Sequence, residues 1–108
     1  MQLTKENLSK LDFKDKINLT EVCHLYLMKD LANGFYKIGI SNNPEYREKT
    51  LQSEKPTIEL ITSKGFSNRK IALAFESSLH KSYENKRLRG EWFELNEREI
   101  AEIKEILK

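Results

Sequence analysis

Four side chains have types and spacing that could do chemistry. Tyr26 and Lys37 lie in two apolar runs on either side of Asn33-Gly34, and Glu76 and His80 lie four residues apart on a helical pattern, on one face. A phenol or an amine moves protons only where its surroundings adjust its pKa, whereas a carboxylate can ligate a hard cation such as Mg²⁺. Each also has an ordinary explanation: a half-buried strand tyrosine, a solvated lysine, a helix ion pair and a structural histidine.

A group of basic residues flanks the helical pattern that carries Glu76. Its members are Arg69, Lys70, Lys81, Lys86, Arg87 and Arg89. Such a cluster could follow a nucleic-acid backbone without reading the base sequence. The alternative is a solvated helix end, where cations interact favourably with the helix dipole, and the sequence does not decide between the two.

The first elements that must position these residues are a hairpin and a short helix. The apolar runs 22–28 and 35–40 around Asn33-Gly34 predict a β-hairpin, with Asn-Gly supplying positive φ angles. Asn43 and Pro44 suit the N-cap and first turn of a helix that runs to about Gln52. That helix carries Arg47.

The remaining pattern predicts two helices and two strands. A strand over 57–62 ends near Gly65, a long helix spans about 68–86, and a short strand covers 91–95, with Trp92 and Phe93 in the core. Asn96 and Glu99 predict the start of a last helix. The chain is thus predicted to be α+β, with helices packed on a small, mostly antiparallel sheet. Residues 1–20 are interpreted as an N-terminal arm and 21–108 as the folded domain.

Composition and length limit the classes of protein to which this chain can belong. The chain has 108 residues, a formal net charge of +2 and a pI of about 8.6, which predicts one domain and names no partner by itself. The single cysteine, Cys23, cannot form an internal disulfide and is expected to be buried. No run is long enough to cross a membrane, and residues 1–16 lack the apolar core of a signal peptide. We therefore expect a cytoplasmic protein without a membrane partner.

Taken together, the motifs resemble the GIY-YIG endonuclease superfamily, and most closely a compact phage and bacterial branch of it. The matching pieces are Leu25-Tyr26-Leu27-Met28, Phe35-Tyr36-Lys37-Ile38-Gly39-Ile40-Ser41, Asn42 to Arg47 with Leu51, Glu76 to His80 with Tyr83, and Gly90-Glu91-Trp92-Phe93. They cover about residues 22–95. The order and spacing of the set carry the resemblance, because each piece alone would be weak.

The resemblance implies a ββαβα core that holds one divalent metal ion and hydrolyses DNA. Tyr26 falls on the tyrosine of the first motif, where His24 replaces a glycine, and Gly39 falls on the glycine of the second motif. Lys37 takes the place of the second motif's tyrosine. A lysine can act there as a base only if its pKa is lowered, and otherwise it is a phosphate clamp.

The remaining roles follow from the same resemblance. Glu76 falls on the single metal-binding carboxylate and would hold Mg²⁺ or Mn²⁺, and Arg47 falls on the helical arginine and would bind the scissile phosphate. Tyr26 and Lys37 would act on the attacking water, with His80 in support. DNA is the expected partner, and RNA is not excluded.

Two other hypotheses remain open from the sequence. Lys37 and His24 depart from the motifs, which favours a nucleic-acid-binding or regulatory module that keeps the fold and has little catalysis. The amphipathic last helix would instead suit a protein-interaction role. A homodimer could form through the N-terminal arm or through this helix.

Overall fold

A computed structural model describes residues 22–108 of the chain. The predicted N-terminal arm lies outside the described residues, so the division of the chain at residue 20 stays a prediction. No helix within 22–108 is long and apolar enough to cross a membrane.

The described chain folds into an antiparallel sheet covered by helices, which confirms the α+β prediction. Five strands make up this sheet, in the order β3-β1-β2-β5-β4. The strands are β1 (Cys23–Asp30), β2 (Tyr36–Ser41), β3 (Ile58–Phe66), β4 (Arg87–Arg89) and β5 (Trp92–Phe93). The helices are α1 (Pro44–Gln52), α2 (Arg69–Ser82) and α3 (Glu97–Ile106).

The predicted hairpin is present, but its connection is longer than a two-residue turn. Strands β1 and β2 pair from Lys29 with Tyr36 to His24 with Ser41. Gly34 has a φ of 78°, a left-handed angle that favours glycine, whereas no non-glycine residue from 22 to 108 has a positive φ. The predicted positive φ at Asn33 is therefore wrong. Its side chain instead accepts a hydrogen bond from the Phe35 amide.

Alternating side chains of β1 divide the core between the two faces of the sheet. Leu25 and Leu27 belong to the larger core, which α2 and α3 cover with residues such as Leu79 and Ile103. Tyr26 and Met28 point to the other face, where Ile58 and the helix residue Leu51 pack against them. Since side chains alternate along a strand, this register places Tyr26 on the α1 side.

Helix α1 is held in place at its start and in its middle. The Asn43 side chain accepts a hydrogen bond from the Tyr46 amide, and Pro44 occupies the first turn, as predicted. The Glu48 carboxylate accepts a hydrogen bond from the Leu60 amide at 2.7 Å, beside the bulge in the β1–β3 pairing. This bond ties α1 to β3 and thereby positions Arg47 on the same helix.

The structure corrects the prediction for residues 82–95. Helix α2 ends at Ser82, a 3₁₀ turn follows over Glu84–Lys86, and β4 replaces the end of the predicted helix. Strand β4 pairs with β5 around Gly90, whose φ is 56°. All three residues of β4 are exposed, so they carry no alternating apolar pattern from which a strand could be predicted.

Trp92 is also placed differently from the prediction. It is half-buried rather than a core residue, and the ammonium groups of Lys37 and Lys55 lie 5.6 and 5.5 Å from its ring centroid. Its neighbour Phe93 is fully buried, as is Cys23, and both predictions of burial are confirmed.

Candidate active site

A cleft of about 580 Å³ lies beside the end of the hairpin that leads into α1. It is lined by Tyr26, Ile40, Ser41, Asn42, Arg47, Arg69, Leu73, Glu76 and Glu91. Three of the predicted catalytic or metal-binding residues, Tyr26, Arg47 and Glu76, are thus brought together from β1, α1 and α2. Lys37 joins them through its contact with Glu91.

Gly39 provides the space in which the Tyr26 ring lies. The two residues face each other across β1 and β2. A Cβ atom at position 39 would lie 2.6 Å from the Tyr26 hydroxyl and 2.8 Å from Glu91 Oε1. Any side chain here would therefore displace both groups. The glycine is required by the close approach of these side chains rather than by its backbone angle.

The Tyr26 hydroxyl is buried and stays protonated at neutral pH. Only 1% of the residue is exposed, and burial raises the pKa of Tyr26 to about 12. The Arg47 guanidinium opposes this shift, because its hydrogen bond and positive charge both lower the pKa of Tyr26. In this arrangement Tyr26 is a hydrogen-bonding group rather than a base.

Lys37 is paired with a carboxylate at the border of the cleft. Its Nζ lies 2.9 Å from Glu91 Oε1, and the lysine is buried to more than nine-tenths. Glu91 is held beside β2 because its backbone oxygen accepts a hydrogen bond from the Ile38 amide at 3.1 Å. The ammonium group of Lys37, which the sequence predicts to be a base or a phosphate clamp, is thus held in an ion pair.

Glu76 is a buried carboxyl group of the cleft. The residue is 7% exposed, and its Oε2 atom has no hydrogen-bond partner among the described residues. Burial and the neighbouring Glu91 raise the pKa of Glu76 to about 7, and the hydrogen bond between the two carboxyl groups contributes to this shift. A buried carboxyl with a raised pKa beside a second one is a common mark of a functional site.

Two arginines bring positive charge to the same cleft. Arg47 approaches from α1 and Arg69 from the first turn of α2. Arg69 lies close enough to lower the pKa of Glu76 by its charge. Burial raises the pKa of the Cys23 thiol, and the charge of Arg69 opposes that shift. Both guanidinium groups have the planar donor geometry that matches a phosphate.

His80 is not among the residues that line the cleft. Its Nε2 donates a hydrogen bond to the Ile38 carbonyl at 2.8 Å, and Arg87 donates to its Nδ1 at 3.0 Å. Its ring also lies 5.1 Å from that of Phe93, in the larger core. These contacts hold α2 against β2 and β5. They favour a positioning role, and the predicted catalytic role of His80 stays a prediction.

The six basic residues do not form one free cluster. Arg69 lies in the cleft, while Lys70, Lys81 and Arg89 are exposed elsewhere on the surface. Lys86 pairs with Glu99 at 3.1 Å, and Arg87 is engaged with His80. Their role in nucleic-acid binding stays a prediction, and the structure gives Lys86 and Arg87 contacts within the fold.

Sequence reasoning assigned no role to Glu91. The motif Gly90-Glu91-Trp92-Phe93 does not predict that the Glu91 carboxylate lies beside Glu76 and Lys37. The pairing of Lys37 with Trp92 across β2 and β5 brings Glu91 to the cleft. The only available signal was the position of this glutamate beside a turn glycine within a matched motif.

The comparisons with known proteins identify the family. Residues 22–108 match the family model of the T5orf172 domain, which is most of the chain. The chain therefore belongs to the T5orf172 domain family, whose domain occurs in phage and bacterial proteins and has a nuclease-type fold. No match to a GIY-YIG family model accompanies it. No curated protein and no solved structure matches this chain.

Proposed function

From its membership of the T5orf172 domain family, we propose that this protein is a metal-dependent endonuclease of the GIY-YIG type that hydrolyses DNA phosphodiester bonds. Family membership is compatible with a nuclease-like enzyme, and the specific reaction is our proposal. The observation that carries it is the convergence of Tyr26, Arg47 and Glu76 in one cleft around Gly39. These are the residues that the GIY-YIG resemblance selects, and they come from three separate elements.

The donor set of the cleft fits a hard divalent cation such as Mg²⁺ or Mn²⁺. The buried Oε2 of Glu76 is an oxygen with lone pairs and has no hydrogen-bond partner within residues 22–108. Leaving such an atom unsatisfied costs about 1–3 kcal/mol, which a ligand can recover. When bound, the cation would supply charge neutralisation at the phosphate and a more acidic water.

The protein's own residues would then divide the remaining work. Hydrolysis joins a water oxygen to phosphorus, breaks one P–O ester bond and protonates the departing oxygen. Arg47 would hold a non-bridging phosphate oxygen through its guanidinium. The Tyr26 hydroxyl, protonated at neutral pH, would orient the attacking water, and Lys37 would add positive charge beside it. RNA has the same phosphodiester linkage and is a second candidate substrate.

A second candidate function is a nucleic-acid-binding module with little catalysis. The observation that favours it is the Lys37–Glu91 ion pair, which engages the group that stands in place of the motif tyrosine. Such a module would retain Arg47 and Arg69 for backbone phosphates. It predicts binding to DNA without cleavage.

Nicking of supercoiled plasmid in Mg²⁺ or Mn²⁺ separates these functions. We expect the wild type to convert supercoiled plasmid to nicked circles, and Glu76→Ala and Arg47→Ala to lose at least about a hundredfold in rate, as for removal of one charge-stabilising group. Lys49→Ala is the matched control for Arg47, because it removes an exposed cation from the same helix.

The result that would overturn the nuclease proposal is equal nicking by wild type and Glu76→Ala on double-stranded DNA, single-stranded DNA and RNA. A gel-shift titration of the same samples then tests the binding module. Retained binding with no metal-dependent cleavage in the wild type would favour the second function.

A further inference from the structure

Glu91 is a second acidic group in the cleft, and the proposed reaction has not yet used it. It reaches the cleft from the turn between β4 and β5, whereas Glu76 comes from the middle of α2. Both carboxyl groups line the same cleft, and after burial the charge of Glu91 is the largest cause that raises the pKa of Glu76. The Glu91 side chain is 41% exposed, so solvent and ions can reach it.

The pair also contains an unpartnered atom that points to a ligand. Glu76 is more than nine-tenths buried, lines the cleft and has a buried Oε2 with no hydrogen-bond partner in the described part of the chain. Two carboxylates in contact repel each other once both are ionised, and a cation between them removes this repulsion. One divalent cation with oxygen ligands would both bind the unpartnered oxygen and remove the repulsion between the carboxylates.

We propose that Glu76 and Glu91 together bind the divalent cation, and that Glu91 gives up its ion pair with Lys37 to do so. This inference rests on the proposed metal-dependent function. Lys37 is then free to face the substrate phosphate. The lysine that replaces the motif tyrosine is thus a clamp whose availability depends on cation binding.

The number of carboxylates, two, is typical of a catalytic metal site rather than a structural one. Within residues 22–108, no group of three or more His, Cys, Asp or Glu side chains is placed to hold a metal ion. Mg²⁺ prefers octahedral coordination and usually keeps several waters beside one or two carboxylates. A two-carboxylate site leaves positions for the attacking water and for a phosphate oxygen.

The charges of the cleft support the transfer of Glu91 from Lys37 to the cation. Glu91 Oε1 lies 2.9 Å from Lys37 Nζ, and that ammonium also lies over the Trp92 ring at 5.6 Å from its centroid. The aromatic face stabilises the ammonium when the carboxylate turns to the cation, because ring and cation attract each other. Lys37, Arg47 and Arg69 together then oppose the negative charge of a phosphodiester.

The first test measures Mn²⁺ binding without DNA. The full chain, stripped of metal with EDTA, is titrated with MnCl₂ while the electron paramagnetic resonance signal of free Mn²⁺ is followed. Glu91→Gln is expected to weaken Mn²⁺ binding by about tenfold or more, as expected for loss of a group that holds the ion. Glu76→Gln should weaken it as well. Glu94→Gln is the matched control, an exposed glutamate of the same region, and should bind as the wild type does.

The second test asks whether Lys37 competes with the cation for Glu91. Lys37→Met keeps much of the apolar length of the side chain and removes the charge. It is expected to strengthen Mn²⁺ binding by about threefold or more, because the competing ammonium is gone. A lysine with a purely structural role would leave binding unchanged or weaken it.

Three results would overturn this inference. Glu91→Gln that binds Mn²⁺ as tightly as Glu94→Gln would remove Glu91 from the site, and weaker binding by Lys37→Met would exclude the exchange. A wild type that binds no Mn²⁺ at millimolar concentrations would show that the pair is not a cation site. Plasmid nicking is scored separately, so the first two results can occur while the nuclease proposal stands, whereas the third also counts against its metal dependence.

Discussion

At the scale of single residues, Gly39 determines how the cleft is built. The space above it holds the Tyr26 hydroxyl and Glu91 Oε1, both within 2.8 Å of where a Cβ would lie. Tyr26 is 1% exposed, so its ring has little room to move aside. A single methyl group at position 39 would therefore change the positions of two groups in the cleft.

Gly39→Ala is expected to lower metal-dependent nicking by about tenfold or more, since small misplacements of reacting groups are costly. The control is Gly34→Ala, where a positive φ of 78° costs about 1 kcal/mol but a Cβ meets nothing within 4 Å. Nicking rates and thermal unfolding are measured on both variants. Equal rates for the two variants at matched stability would contradict the role of Gly39.

Glu76 also affects stability in a direction that is unusual for a buried polar residue. Its pKa is about 7 in the folded chain against an ordinary 4.5, so the folded state binds a proton more tightly than the unfolded state. This destabilises the fold progressively as pH rises from about 4.5 to about 7. The full effect is present above that range.

Glu76→Gln is therefore expected to be more stable than the wild type at pH 8, by up to roughly 3 kcal/mol, with the difference vanishing near pH 4.5. Urea unfolding at the two pH values in EDTA measures this. Glu94→Gln, a substitution of an exposed glutamate, is the control. Equal destabilisation of Glu76→Gln at both pH values would mean that its carboxyl stabilises the fold.

At the scale of elements, Asp30 closes the hairpin against the start of β3. The residue is 2% exposed and accepts hydrogen bonds from the Thr57 hydroxyl at 2.6 Å and the Ala32 amide at 3.0 Å, with Lys55 at 3.5 Å. The Thr57 hydrogen bond is the main reason that the pKa of Asp30 is lowered. This polar cluster holds the end of the hairpin remote from the cleft.

Asp30→Asn is expected to lose about 1–3 kcal/mol of unfolding free energy at pH 7, because bonds to a charged acceptor are replaced by weaker ones. The stability from Asp30 is complete above its ordinary pKa of 3.8 and is lost as pH falls through its lowered value. Urea unfolding at pH 7 and pH 3 checks this. The exposed Glu59→Gln on β3 serves as the control, and a gap between Asp30→Asn and wild type that does not narrow from pH 7 to pH 3 would contradict it.

At the scale of the whole molecule, the structure separates basic residues that face solvent from those that the fold uses. Lys86 pairs with Glu99, whose carboxylate also completes the capping box of α3 with Asn96. Lys70 and Lys81 are exposed on α2. The net charge of +2 therefore says little about where a nucleic-acid backbone would lie.

Lys86→Met is expected to destabilise the fold by about 1 kcal/mol and to leave the salt dependence of DNA binding unchanged. Lys70→Met should do the reverse, with little effect on stability and a slope of log K against log salt reduced by about one. Gel shifts over a range of salt concentrations, with thermal unfolding of each variant, measure both. A reduced slope for Lys86→Met would place that lysine on the DNA.

The sequence alone determined the hairpin, the caps at Asn43 and Asn96 and most helix boundaries, because apolar period and capping chemistry are local. It also selected Tyr26, Arg47 and Glu76 through motif order. Only the tertiary structure decided that β4 exists, that His80 bonds to the Ile38 carbonyl, and that Glu91 faces Glu76 and Lys37. These features depend on which strands pair and which helix lies over them, and no local pattern specifies contacts between residues far apart in the chain.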